Sequence, residues 1–378
     1  MDIICYSHLR WNFVYQRPQH LLSRFTSMYR VFFVEEPLYD SEHPFIHKQH
    51  SGNNLIVLTP HLPHSISPEQ GILAQKELLQ DLVAEEEIVD HIAWYYTPMA
   101  LDLASALPVP QLIIYDCMDE LSAFQNAPPA LIQNEARLMK LADLVFTGGN
   151  SLYNAKKHLH HNIHSCPSSI DKEHFAAARQ HTMDPADQRN IPHPRLGFFG
   201  VIDERLDIAL VDAIAKERPD WQIIMIGPTV KVDPAQLPRH ANIHYLGSKT
   251  YQELPAYLAG WDVALLPFAK NEATRFISPT KTPEYLAGGK PVVSTSIEDV
   301  VNPYGRNGLV HIADDAAGFI NRIEAVLIQQ SNSRWLQNVD GYLAGISWDK
   351  TWQKIVDEMQ KLLGRQKNLS SKKIHEHV

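Results

Sequence analysis

The sequence predicts a two-domain α/β protein whose two parallel sheets face each other across a cleft. Three observations carry this expectation. Short apolar runs of strand length alternate with amphipathic helical stretches along most of the chain, which is the signature of βαβ units. The alternation is interrupted once, over residues 175–194, which are polar, rich in Ala, Gln, His and Pro, and without a period; such a stretch suits an interdomain linker. Finally, 378 residues with 44% hydrophobic content supply enough apolar surface for two cores.

Residues 2–6 form an apolar strand, residues 17–28 a helix with one wet and one buried face, and residues 30–34 the next strand. This opening implies a right-handed crossover in a parallel sheet. The loop of residues 7–17 then lies at a carboxyl strand end, where open α/β sheets bind ligands. It carries His8, Arg10, Trp11, Gln16 and Arg17, with His20 just inside the helix. It lacks the GxGxxG spacing, so no dinucleotide fingerprint is present. A strand at 55–58 leads into a proline- and histidine-rich loop at 60–68. A helix over 71–88 and strands at 92–96 and 111–115 follow. The last of these strands runs into Asp116, Asp119 and Glu120. Acids at a strand end can bind sugar hydroxyls or act as a base, and Asp119 can equally cap a turn while Asp116 takes a backbone hydrogen bond. A helix at 129–140, a strand at 144–147 and a tight turn at 148–151 complete the half. His158, His160, His161 and His164 beyond it have no acidic partners nearby in sequence and suit a solvated face.

The second half repeats the alternation, with strands at 195–200, 221–227, 243–247 and 263–267 and helices at 206–216, 251–259 and 317–329. An amphipathic helix at 348–363 precedes a polar tail, 364–378, expected to be disordered. The most informative stretch is residues 276–295. Ser278-Pro279-Thr280 is a helix start, with Ser278 as cap or, for a slightly later start, Thr282. Gly288 and Gly289 end the helix and a strand follows. Lys281 and Glu284 lie one turn apart beside free backbone N–H groups, an arrangement able to hold a diphosphate and a hydroxylated ring. The same spacing also describes a surface helix with an i,i+3 ion pair.

Several functions are excluded. A net charge of -9 argues against a general nucleic-acid binder. Cys5, Cys117 and Cys166 form no CxxC pair, which argues against a zinc ribbon or a disulfide framework. No Walker lysine motif occurs. The first residues lack a signal-peptide pattern, and no apolar run approaches the roughly 18 residues of a membrane span. A soluble cytoplasmic protein is expected, with contact at the inner membrane face left open.

Set side by side, these segments resemble a known family. Trp11 with Gln16-Arg17-Pro18-Gln19-His20, and Tyr115 to Glu120, match in the first half. In the second half the matches are Phe199-Gly200 through Asp203-Glu204-Arg205, Leu246-Gly247, Leu266-Pro267-Phe268 to Asn271, and Ser278 to Val293. The chain resembles GT-B glycosyltransferases of the retaining, glycogen-synthase-like branch, and more narrowly bacterial teichuronic-acid and exopolysaccharide transferases, over roughly residues 1–360. The resemblance implies two Rossmann-like domains facing a cleft. Residues 1–175 would form the acceptor side, 176–194 the linker and 195–346 the donor side, with helix 347–363 packing back on the first domain. It implies transfer of a sugar from a nucleotide-sugar, UDP- or GDP-linked, to a glycan or lipid-linked acceptor. No cofactor, no metal and no nucleic-acid partner is implied. Arg205 and Lys281 would bind the diphosphate and Glu284 the ribose. Gly200, Ser278, Pro279 and Thr280 would line the phosphates, and Asn271 and Thr274 the sugar. Arg10, Trp11, Arg17, His20, Asp116 and Glu120 would face the acceptor, and Asp119 would join Arg205 and Lys281 in catalysis. Many relatives carry a second glutamate eight positions before the first; here that position is Phe276. They also carry a glycine before the aspartate closing the first domain, where this chain has Ser168-Ser169-Ile170-Asp171. Two other readings fit the constellation: a GT-B nucleotide-sugar epimerase, and a catalytically silent nucleotide- or glycan-binding protein.

Overall fold

The computed structural model describes residues 1–328 and 333–375, with side chains to residue 365. The N-terminal domain is built on strands β1 (Asp2–Tyr6), β2 (Arg30–Val34), β3 (Leu38–Ser41), β4 (Phe45–His50), β5 (Leu55–Pro63), β6 (His91–Tyr95), β7 (Leu112–Cys117), β8 (Leu144–Thr147) and β9 (Ile163–Ser165). Their order is β3-β5-β2-β1-β6-β7-β8-β9, with β4 paired to β5. Every pair is parallel except β4–β5. Strand β1 is buried along its whole length between β2 and β6, with Ile4 opposite Phe32 and Ala93. A strand covered on both faces by helices reads as a near-continuous apolar run, which is why Ile3 to Tyr6 show no alternation, while Asp2 at the strand start is paired with Arg30.

The C-terminal domain holds a second sheet of β10 (Arg195–Phe199), β11 (Gln222–Ile226), β12 (Ile243–Tyr245), β13 (Val263–Leu266), β14 (Val292–Ser294) and β15 (His311–Ile312). Its order is β12-β11-β10-β13-β14-β15, all parallel. In both sheets the strand order turns outward from the first strand of the domain, and the carboxyl ends of β1 and β10 lie at the switch points. Ligands of such sheets bind there.

Four features differ from expectation. The β3–β4 segment and the extension of β5 to Pro63 occupy what reads as loop. Pro60 is tolerated in β5 because β2 pairs only as far as Leu58, so its missing N–H breaks no ladder bond there. Residues 176–194 are not a free linker. Phe175, Ala178 and Ile191 join the C-terminal core, Gln188 is fully buried against Tyr257 O and Trp261 Nε1, and Arg195 pairs with Asp184 at 2.6 Å. Isolated anchors at irregular spacing carry no period, so the sequence pattern hides them. The histidine cluster is not a uniform wet face, since His160 is buried with Nε2 2.9 Å from Ala142 O. The last helix starts at Trp348 and continues to His375. Trp348, Ile355, Val356 and Met359 enter the N-terminal core, and His20 stacks on Trp348 at 4.5 Å. Residues 376–378 of the predicted tail lie outside the described residues. Among the described residues no helix is long and apolar enough to cross a membrane.

Candidate active site

Both switch points open into one cavity of about 610 Å³ between the domains. The N-terminal wall is the loop after β1, Trp11 to Gln16, with Gln19 behind it. Gln19 fixes this loop: its Nε2 donates to Trp11 O at 2.7 Å and its Oε1 accepts from Gln16 N–H at 3.0 Å. Trp11 is anchored through its N–H to Glu35 Oε1 and its Nε1 to Ser51 Oγ.

The C-terminal wall is made by the ends of β10 and β11 and by the Lys281–Ala287 helix. Gly200 and Gly227 follow the two strands at φ +143° and +141°, a region that favours glycine. A Cβ on Gly200 would lie 2.0 Å from Lys281 Cε, and one on Gly227 1.9 Å from Gly200 O. The two glycines therefore let the strand ends close on each other and the lysine stem pass over them. The helix starts at Lys281 as anticipated, but its N-cap is Thr280 and no side chain caps it, so neither Ser278 nor Thr282 plays that part.

Lys281 does not form the i,i+3 ion pair. Among the described residues no carboxylate lies within ion-pair distance of its ammonium, whose nearest aromatic neighbour is the Phe198 ring at 5.8 Å. Burial and then the adjacent Arg205 guanidinium push the Lys281 pKa down, against the pull of Glu284, Asp203 and Asp119. Arg205 is aimed by Asp203, with Nη2 2.6 Å from Oδ2 and Nε 3.0 Å from Oδ1. That pairing uses one edge of the guanidinium and leaves Nη1 without a partner among the described residues. Burial pushes the Glu284 carboxyl up to about 7, opposed by Lys281 and the Thr280 hydroxyl.

Arg205 and Lys281 also border a smaller cavity of about 90 Å³, together with Arg17, Asp119, Ser168, Ser278, Pro279 and Thr280. Asp119 comes from the N-terminal domain. Burial raises its pKa to about 6, opposed by Arg205 and Arg17.

The structure places the other predicted residues differently. Arg17 and Asp116 are a buried pair, 2% and 0% exposed, with Nη2 2.8 Å from Oδ1. Nη1 of Arg17 donates to Cys166 O at 2.7 Å, so Asp116 offers no free carboxylate. Glu120 pairs with Lys156 at 2.8 Å and Arg10 with Glu35 at 2.9 Å. His20 is buried against Trp348 and the edge of Tyr251. Arg10, His20, Asp116 and Glu120 therefore line neither cavity. The same holds for Asn271 and Thr274, which cap each other's turn and tie it to the chain: Thr274 N–H donates to Asn271 Oδ1 at 3.1 Å, and Asn271 Nδ2 to Glu204 O at 3.0 Å. Phe276 packs against the N-terminal core across the domain boundary. Gln16, named with its loop, lines the cavity, whereas Gly227, Tyr251 and Asp203 are site residues that the sequence reading gave no role. Gly227 repeats the strand-end glycine of Gly200, a signal available in the sequence, whereas Tyr251 has none.

Residues 193–329 match the family model described as glycosyl transferases group 1. The chain is 25% identical over 328 residues, 81% of its length and 78% of the other, to TuaH of Bacillus subtilis (strain 168), whose name is that of a teichuronic acid biosynthesis glycosyltransferase. Among solved structures it is similar to sucrose-phosphate synthase from Thermosynechococcus elongatus, with TM-score 0.73 and 14% identity, covering 96% of this chain and 99% of that one. It is also similar to Anabaena HepE in complex with UDP and glucose, with TM-score 0.64 and 15% identity over 95% and 99% of the two chains. A third is an E. coli trehalose-6-phosphate protein bound with UDP-2-fluoro glucose, with TM-score 0.65 and 12% identity over 96% and 99%. The chain thus has the two-domain GT-B glycosyltransferase fold, and its C-terminal half matches glycosyl transferases group 1.

Proposed function

We propose that this protein transfers a hexose-type sugar from a nucleoside-diphosphate sugar, with retention and without a metal ion, to a glycan or lipid-linked acceptor in cell-surface polysaccharide synthesis. The observation that carries the reading is the unpaired Lys281 ammonium beside an Arg205 guanidinium with one free edge, both at the wall of an interdomain cavity. Two adjacent cations that repel each other call for a polyanion, and a diphosphate answers both at once. The glycines beneath Lys281 let backbone approach the phosphates, and Glu284 lies where it accepts from ribose hydroxyls. On departure of the nucleoside diphosphate, negative charge grows on the oxygen leaving the anomeric carbon. Lys281 and Arg205 are already in place to stabilise it, which is the role a divalent cation would otherwise fill. With retention by front-face displacement, that same phosphate oxygen takes the proton of the incoming acceptor hydroxyl, so no protein nucleophile is needed. Support for a nucleotide donor comes from the fold, shared with proteins solved with UDP and UDP-sugars, and support for the polysaccharide role from TuaH.

The test is direct. UDP or GDP raises the melting temperature of the wild-type protein, because a ligand bound to the native state stabilises it. Lys281→Ala and Arg205→Ala each remove a charge-assisted contact of about 1.5–3 kcal/mol, or roughly 10- to 100-fold in turnover. Wild-type transfer rates in both variants would overturn the diphosphate assignment.

A further inference from the structure

The two domains meet at a second point that the chemistry above does not use. Asp299, at the carboxyl side of β14, reaches into the N-terminal domain, where its Oδ1 accepts from Ser151 N–H at 2.9 Å. Asp299 is only 5% exposed. Its Oδ2 and the neighbouring Ser151 Oγ are both buried without a hydrogen-bond partner among the described residues. The turn before Ser151 is pressed against the same carboxylate. A Cβ on Gly149 would lie 2.2 Å from Asp299 Oδ2 and 2.9 Å from Ser278 Cβ. Gly149 has φ -158°, open to any residue, so these two contacts and not the backbone forbid a side chain there.

We propose that Asp299 is a positioning residue: an interdomain clasp that holds the 148–151 turn against the Ser278–Lys281 segment and so sets the width of the cleft. The role in turnover rests on the sugar-transfer reading; the clasp itself does not. A buried carboxylate with one oxygen idle is costly in a core. The Ser151 N–H, donated across the domain boundary, is what keeps this carboxylate in place. The contact abuts Ser278, which borders the same small cavity as Asp119, Arg205 and Lys281. The clasp therefore fixes how closely the N-terminal carboxylate approaches the two cations. Other contacts also cross the boundary: Phe276 packs against the N-terminal core and buried His20 meets the edge of Tyr251. Tyr15 stacks on Tyr251 at 4.6 Å, and exposed Gln125 donates its N–H to Glu204 Oε1 at 3.1 Å.

The experiment compares wild type, Asp299→Ala, Asp299→Asn, Gly149→Ala and the Gly149→Ala/Asp299→Ala double variant as full chains. It reads small-angle scattering, UDP affinity and the transfer kcat and KM. Asp299→Ala should scatter as a more open particle and lose about 10-fold or more in kcat, as misplaced reacting groups do. Its UDP affinity should stay within about twofold, since the proposed nucleotide contacts lie apart from the clasp. Asp299→Asn keeps an acceptor oxygen for Ser151 N–H and should recover most of the compact scattering and rate. Gly149→Ala should open the cleft by steric wedging. The double variant should be less disturbed than the sum of the two single ones, because removing the carboxylate removes the closer of the two clashes and leaves Ser278 Cβ at 2.9 Å. Wild-type scattering and kcat in Asp299→Ala would overturn the clasp, as would UDP binding lost in parallel with turnover, which signals general damage. A protein that opens as expected while wild type shows no transfer supports the clasp and sinks the transferase reading instead.

Discussion

Glu284 should destabilise the empty protein while serving its ligand. Its carboxyl is 6% exposed and is pushed up to about 7 from an ordinary value near 4.5, chiefly by burial. The sign follows from proton linkage. Between those two values the folded state keeps a proton that the unfolded chain has released, so stability falls as pH rises through that window and levels off above about pH 7. A shift of this size corresponds to about 3 kcal/mol on the ionised form, a net figure in which the attraction to Lys281 is already included. Glu284→Gln keeps the shape and removes the titration. Without ligand the variant should melt close to wild type near pH 5 and above it at pH 8. The expected gain is about 1–3 kcal/mol, or roughly 3–10 °C for a domain of this size. With saturating UDP the order should reverse, because an ionised carboxylate accepts from ribose hydroxyls more strongly than an amide does. Differential scanning across pH 5–8, with and without UDP, reads both effects. A Gln variant less stable than wild type at pH 8, or a difference that does not change with pH, would refute the reasoning.

Other outcomes follow from the same geometry. Arg17→Ala leaves Asp116 buried without its partner and should cost about 3–5 kcal/mol of N-terminal-domain stability; urea unfolding should show this while UDP binding persists. Gly200→Ala combines a strained φ with a Cβ 2.0 Å from Lys281 Cε and should abolish transfer in a steady-state assay. Lys281→Met removes a half-buried cation whose charge its surroundings disfavour. It should raise the melting temperature of the empty protein at pH 7 and erase the UDP-induced shift. Activity should survive EDTA; loss restored by magnesium or manganese would count against two protein cations filling the metal's role.

The fold was legible because parallel strands covered on both faces are written as unbroken apolar runs. Residues 3–6, 223–226 and 263–266 are of this kind. Half of the candidate site was legible too, because a glycine at a strand end and a lysine at a helix start are local signals, as at Gly200 and Lys281. The other half depended on pairings that the chain brings together from far apart. Arg17 and Asp116 are 99 residues apart, and neither position shows that they neutralise each other. Glu120 is likewise taken by Lys156, and Asn271 by its own turn. Charged residues at a strand end looked available for a ligand and are spent on the fold. Only the three-dimensional partner list separates the two cases.

That partner list also explains why the remaining site should be functional. A fold that pairs Arg17, Lys156 and Arg195 with carboxylates within 3 Å is able to pair its buried cations, yet it leaves half-buried Lys281 unpaired beside Arg205. It also buries Glu284 at a raised pKa, and it holds Asp119 opposite both cations from the other domain. Each of these arrangements costs the empty protein free energy. In the proposed function the first two costs would fall on binding, since a diphosphate would supply the missing partner and a ribose the hydroxyl donors. Strain of one sign, concentrated at one cavity and relieved by one class of ligand, is what a binding site looks like before its ligand arrives. With Phe276 packed into the N-terminal core, Asp119 is the carboxylate left at the far side of the two cations to meet a sugar or acceptor hydroxyl. Recognition beyond the diphosphate then depends on the N-terminal domain being in place, and so on the contacts that keep the cleft closed.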